Sequence, residues 1–156
     1  METQEYNRIV KRYIDDVYRA ALNCCRNRAD AEDAVQNTFL KLYTADVGFT
    51  DEEHIRRWLI RVAVNECKNH LRSSWRRSVA YLDELEQEPA AALQEENELL
   101  YEMGRLPVKY SSILHLYYYE GYRCGEIADI LHISESNVQT RLSRARKMLK
   151  KNLEEA

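Results

Sequence analysis

Arg57, Arg61, Lys68, Arg72 and Arg76 recur at helical intervals, with the amide of Asn65 among them. At about 100° per residue, all six fall within an arc of about 100° on one helix. Side chains of this kind hold no nucleophile and no proton-transfer pair. They can neutralise a row of phosphates while Asn65 and the nearby Asn69 reach base edges. Residues 54–79 hold seven basic side chains and a single acid, Glu66, whereas an ordinary solvated helix face interleaves acids for i,i+4 pairing.

A second set lies near the end of the sequence. Val138, Leu142, Ala145 and Leu149 share one narrow stripe, so Gln139, Thr140, Ser143, Arg144, Lys147 and Lys151 occupy the opposite face. Gln, Thr, Ser and Arg suit base edges in a DNA major groove, and neighbouring cations suit phosphates. An account without DNA also exists, a helical hairpin in which the late Lys147, Lys150 and Lys151 merely complement a helix C-terminus.

These residues imply binding rather than catalysis. The sequence has no nucleophile elbow, P-loop, Gly-rich phosphate cradle or acidic cluster with metal spacing, so no enzymatic activity and no cofactor are expected. The four cysteines, Cys24, Cys25, Cys67 and Cys124, form no CxxC pair. Cys67 and His70 could share a helix face, but no second ligand pair lies near them, so burial is expected rather than metal binding.

The elements that must position these residues are helical. Of 156 residues, 45% are hydrophobic and 31% charged, with only 4 Gly and 2 Pro, a composition rich in helix formers and poor in turns. No apolar run approaches the roughly 18 to 20 residues of a membrane span, and the start of the sequence lacks a signal-like pattern. A cytoplasmic protein with no membrane contact of its own is expected. Apolar periodicity predicts a first helix from Tyr6 to Cys24 and a second beginning at Asp30 as N-cap, burying Ala34, Val35, Thr38, Phe39 and Leu42. The stretch from Thr44 to Glu53 reads as a loop, and a third helix runs from about His54 to Arg77, with Trp58 on its apolar stripe. Later, Pro107 opens a helix carrying Ile113, Leu114, Leu116 and Tyr117, Glu120-Gly121-Tyr122 interrupts it, and a short helix carries Ile127, Ala128, Ile130 and Leu131. A tight turn follows at His132-Ile133-Ser134, with Ser134 capping the last helix. Helix, three-residue turn and helix with a polar-basic second member is a helix-turn-helix arrangement.

Charge divides the chain further. Residues 80–102 hold eight acids and no base, between the basic 54–79 and the mildly basic 103–156. The fold class expected is therefore all-α, with two small helical domains, 1–79 and 103–156, joined by an acidic linker at 80–102. A monomer with variable interdomain geometry is expected, because the linker offers little apolar surface.

Together these segments resemble bacterial RNA polymerase sigma factors of the extracytoplasmic-function (ECF) type. Asp30-Ala-Glu-Asp-Ala-Val-Gln-Asn-Thr-Phe-Leu-Lys-Leu-Tyr43 is similar to the region 2 segment that grips the clamp of the polymerase β′ subunit. The resemblance makes Asp30, Asp33, Gln36, Asn37, Phe39 and Leu40 the polymerase-binding candidates, with Asn37 standing where Glu is usual. Arg57-Trp-Leu-Ile-Arg-Val-Ala-Val-Asn-Glu-Cys-Lys-Asn-His-Leu-Arg72 is similar to the helix that recognises the minus-ten element and opens the strands, aided by a loop at 46–54 that captures an unstacked base. Residues 121–151 resemble region 4, which reads the minus-thirty-five element and rests on the polymerase β flap. The resemblance puts Gln139, Thr140, Ser143 and Arg144 on bases and Arg141, Arg146 and Lys147 nearer to phosphates. His132 stands where Gly is frequent, and Gln139 where a cation is common. The resemblance also implies a linker threading toward the RNA exit path and a cognate anti-sigma factor.

Two other functions fit some of these residues. A stand-alone helix-turn-helix regulator, dimerising through its N-terminal domain, would bind two-fold symmetric DNA without polymerase. A decoy would hold polymerase without initiating, although it would have no need of a basic face at 57–76.

Overall fold

The computed structural model of the chain describes residues 1–25, 27–77 and 98–155, with 70–77, 100 and 104 described by backbone alone. The expected linker residues 80–97 therefore lie outside the described residues, as do the side chains of Arg72 and Arg76.

Helix α1 (Thr3–Cys24) buries Ile9, Tyr13, Val17, Ala20, Ala21 and Cys24, the stripe that its apolar periodicity defines. It ends where Cys25 turns extended and its N–H reaches the Ala21 carbonyl at 2.7 Å. Helix α2 (Arg28–Thr44) starts from Asn27, whose side chain accepts the Asp30 N–H at 2.7 Å. This corrects the expectation that Asp30 is the cap. Asp30 instead lies in the first turn, where its charge favours the helix dipole and its Oδ2 accepts from Asn27 Nδ2 at 3.1 Å. Ala31, Ala34, Val35, Thr38, Phe39 and Leu42 are buried, and Thr38 satisfies its hydroxyl on the Ala34 carbonyl at 2.6 Å.

After a loop at 45–51, helix α3 (Glu52–Arg77) begins two residues earlier than expected. The Asp51 carboxylate draws it forward by accepting the His54 N–H at 2.7 Å, an N-cap interaction. Ile55, Leu59, Ile60, Val62, Ala63, Val64 and Cys67 are buried. Helices α1, α2 and α3 pack on one another pairwise.

The second half opens with α4 (Glu98–Gly104) and α5 (Val108–Leu114), where Pro107 occupies the N-cap position. A π-helical turn, His115–Tyr119, extends α5. The turn ends at Gly121, whose φ of 76° is one that glycine adopts at no steric cost. Helix α6 (Cys124–Leu131) and helix α7 (Glu135–Glu155) then form the expected helix-turn-helix. His132 takes the left-handed conformation between them (φ 56°, ψ 46°), so that Ile133 N–H returns to the Ala128 carbonyl at 3.1 Å. Ser134 caps α7 as expected, its Oγ accepting the Asn137 N–H at 3.1 Å. Among the described residues there is no strand.

The buried side chains form one contiguous apolar cluster reaching from Ile9 to Ala145. Helix α1 touches α4 and α5, and α3 touches α5 and α6. Cys24, Cys25 and Cys67 are buried in this cluster, and Cys124 is half-buried. Burial pushes the Cys24 and Cys67 thiols up from the usual thiol range. No helix among the described residues is long and apolar enough to cross a membrane.

Candidate nucleic-acid and polymerase interface

On α7 the apolar stripe of Val138, Leu142 and Ala145 is buried, and this turns Gln139, Thr140, Ser143, Arg144 and Lys147 outward as one exposed set. Arg141 lies at its edge, half-buried, with Nε donating to Asn137 Oδ1 at 3.0 Å. Arg146 departs from the set. Its Nε donates to the Tyr118 hydroxyl at 2.6 Å, and its guanidinium lies 5.4 Å from the Tyr117 ring centre and 5.5 Å from that of Tyr118. Aromatic stacking and the hydrogen bond hold this cation against its own domain.

On α3, Asn65 and Asn69 are exposed. Arg57 and Arg61 are engaged. Arg57 Nε donates to Glu53 at 3.2 Å, its Nη2 pairs with Glu126 of α6, and Arg61 Nη1 contacts His132 Nε2. Lys68 is half-buried and has interactions of its own. The loop at 45–51 folds back through Phe49, whose ring meets Trp58 edge-on at 5.7 Å and His54 at 5.1 Å. Trp58 is only partly buried against the core. With His54, Arg57, Arg61, Ile130 and His132 it lines a cavity of about 220 Å³ between α3 and α6.

The polymerase candidates divide in the same way. Asp33, Gln36 and Leu40 are exposed, Leu40 by 62%, whereas Phe39 is 5% exposed and faces the core, its carbonyl accepting from the Tyr6 hydroxyl at 3.1 Å. Asp30 is tied to Asn27, as described. Asn37 donates from Nδ2 to the buried Glu66 Oε2 at 3.3 Å, and Lys41 pairs with the other oxygen of Glu66. An amide at 37 therefore serves where a carboxylate would face Glu66 with like charge.

A polar seam between the halves carries residues that the sequence analysis missed. Asn23 Nδ2 lies 2.9 Å from His115 Nδ1, and His115 Nε2 lies 3.1 Å from Glu120 Oε1. Glu120 pairs through its other oxygen with Arg56, which lies 3.8 Å from Asp16 and donates to the Tyr122 hydroxyl at 3.3 Å. The pairs that cross between the halves, Asn23–His115, Arg56–Glu120 and Arg56–Tyr122, are separated by 64 to 92 residues in sequence, a distance over which no local periodicity operates. The seam fixes, through side chains outside the linker, an interdomain geometry that the linker's composition led us to expect would vary.

Sigma-70 region 2 matches residues 9–77, and sigma-70 region 4 matches residues 96–149. The chain is 32% identical over 150 residues to the ECF RNA polymerase sigma factor SigM of Bacillus subtilis, spanning 91% of each chain. It is 27% identical to SigW of the same organism, over 93% of this chain and 87% of that one. The fold also matches the sigma factor RpoE of Bartonella quintana, solved with the anti-sigma factor NepR, with a TM-score of 0.73 at 20% identity, over 97% and 98% of the two chains. The chain belongs to the ECF RNA polymerase sigma factors. It accordingly serves promoter-specific transcription initiation, and the stand-alone regulator is not favoured.

Proposed function

We propose that this sigma factor works through two faces. The exposed Gln139, Thr140, Ser143 and Arg144 of α7 read the minus-thirty-five element, flanked by Arg141, Arg146 and Lys147 near phosphates. The basic side of α3 (Arg57, Arg61, Asn65, Lys68, Asn69, Arg72 and Arg76) holds the minus-ten region as its strands separate. Asp33, Gln36 and Leu40 of α2, with Asn37 and Asp30 beside them, meet the β′ clamp of core polymerase, and region 4 rests on the β flap. Phe39 supports this surface from the core. The division proposed is 1–79, 80–102 and 103–156.

The observation that carries the reading is the outward polar-basic face of α7 opposite buried Val138, Leu142 and Ala145. Such a face fits a major groove and brings Gln, Thr, Ser and Arg to base edges. The protein performs no chemistry itself, needs no cofactor, and works in the cytoplasm, where the polymerase forms the phosphodiester bonds. An anti-sigma factor that covers both halves is the proposed regulator, by likeness to the relative solved with NepR.

In vitro transcription with core polymerase on a library of randomised upstream DNA tests this. Transcripts that appear only with the protein, sharing two spaced elements, are expected. Core binding without promoter-specific transcripts would overturn the reading in favour of a decoy.

A further inference from the structure

The loop at 45–51 has little of its own to hold it. Asp46, Val47, Gly48, Thr50 and Asp51 are exposed, and a Cβ added at Gly48 would meet nothing within 4 Å. Phe49 turns inward onto Trp58 and His54, and behind it a groove of about 520 Å³ separates the loop from the start of α1. What fixes the loop is a set of contacts from α1 to its far end. The Tyr13 hydroxyl, on a residue only 5% exposed, donates to Glu52 Oε2 at 2.5 Å and lies 3.3 Å from the Glu52 carbonyl oxygen. Arg8 Nη1 lies 2.8 Å from Glu52 Oε1, and Arg12 Nε lies 3.9 Å from Oε2. Glu52 is the first residue of α3, so these contacts fall on the joint between loop and helix. The Thr50 N–H, donating to His54 Nδ1 at 3.1 Å, carries the position of that joint back to the neighbour of Phe49.

The contacts are not equal. Ion pairs as exposed as those of Arg8 and Arg12 are worth little in water, whereas a hydrogen bond from a buried hydroxyl to a carboxylate is about twice as strong as a neutral one. We propose that Tyr13, acting through Glu52, is a positioning residue for strand opening, holding the loop at 45–51 in the shape that accepts an unstacked base of the non-template strand. This rests on α3 and its loop being the minus-ten face. If the untied loop keeps that shape in about one molecule in ten, capture weakens about tenfold.

The test uses holoenzyme reconstituted with core polymerase, on a promoter recovered from the randomised library, with permanganate reactivity of thymines in the minus-ten element reporting the rate of opening. For Tyr13→Phe and Glu52→Ala we expect opening about tenfold slower, with affinity for core polymerase and for unopened promoter kept. Asp15→Asn, which removes a charge from the exposed side of α1, is expected to open promoter at the wild-type rate. The decisive comparison removes bases one at a time from the non-template strand of the minus-ten element. One abasic position should slow the wild type about tenfold and slow Tyr13→Phe hardly further, because its loop no longer captures that base. Wild-type opening by Tyr13→Phe, or equal further slowing of both proteins at that abasic position, would overturn the proposal. Should circular dichroism show Glu52→Ala unfolded, Tyr13→Phe, which keeps its ring in the core, carries the test alone. A wild type indifferent to every abasic position would remove the reading of the loop as a base pocket, and the proposal with it.

Discussion

The Asn23 amide nitrogen and the His115 Nδ1 sit 2.9 Å apart, both fully buried, at the point where the first helix of one half meets the π-helical turn of the other. Because the amide donates, the neutral ring carries its proton on Nε2 and passes it toward Glu120 at 3.1 Å. Tyr119 stacks on the same ring at 5.2 Å, and Arg19 lies 5.1 Å over Tyr119.

Protonating His115 is opposed first by burial and then by the positive charges of Arg19 and Arg56, which together push its pKa down to about 3. The unfolded imidazole takes up its proton near pH 6.5 while the folded one resists, so stability is lost as pH falls below about 6.5 toward 3, at most about 1.4 kcal/mol per pH unit. Urea unfolding at pH 7, 6 and 5 is expected to show a steeper fall for the wild type than for His115→Gln. Equal slopes would show that the imidazole is not held neutral.

Asn37 answers to Glu66. Asn37→Glu sets a second carboxylate against a buried one, and the expected cost is about 1 to 3 kcal/mol at pH 7. Glu66→Gln in the same chain removes the repulsion, so the cost of Asn37→Glu should shrink in that background. A double-mutant cycle of urea midpoints measures the difference, and additive effects would separate the two residues.

His132 pays for the turn in backbone conformation. At φ 56° a side chain with a Cβ is held at some strain, so His132→Gly is expected to be neutral or to stabilise by up to about 1 kcal/mol, and His132→Val to destabilise by about 1 to 2 kcal/mol. Thermal unfolding distinguishes the two. Ser134→Ala, which removes the cap from α7, should cost about 1 kcal/mol.

On the proposed reading, the exposed face of α7 separates readout from attraction. In the polymerase holoenzyme, Arg144→Ala is expected to cost about 1 to 3 kcal/mol on the preferred promoter and to relax preference at one base pair. Lys147→Ala should weaken binding alike on all sequences and lower the salt slope by about 1. Binding measured across a salt series on matched and mismatched promoters tells them apart.

The helix faces were legible because burial repeats with the local 3.6-residue period. Val138, Leu142 and Ala145 could be placed inward, and Gln139, Thr140, Ser143 and Arg144 outward, from spacing alone. The start of α2 was misjudged because Asn27 and Asp30 are both good caps, and only the fold decides which one turns extended. Phe39 lies inside the recognisable Asp30–Tyr43 motif and also on the buried stripe that the period defines, and the structure places its side chain in the core. The Asn23, Arg56, His115 and Glu120 seam had no signature, since long-range polar pairs leave no period. Arg146 looked like another cation of α7 because nothing local announces the tyrosines that hold it.

The burial of Cys24, Cys25 and Cys67 has a practical consequence. Native protein should react with an aqueous thiol reagent as though it had a single cysteine, Cys124 at the start of α6, and show four once unfolded. Reagent stoichiometry then counts the unfolded fraction directly. A maleimide dye likewise lands at one known place beside the helix-turn-helix, with no engineered cysteine.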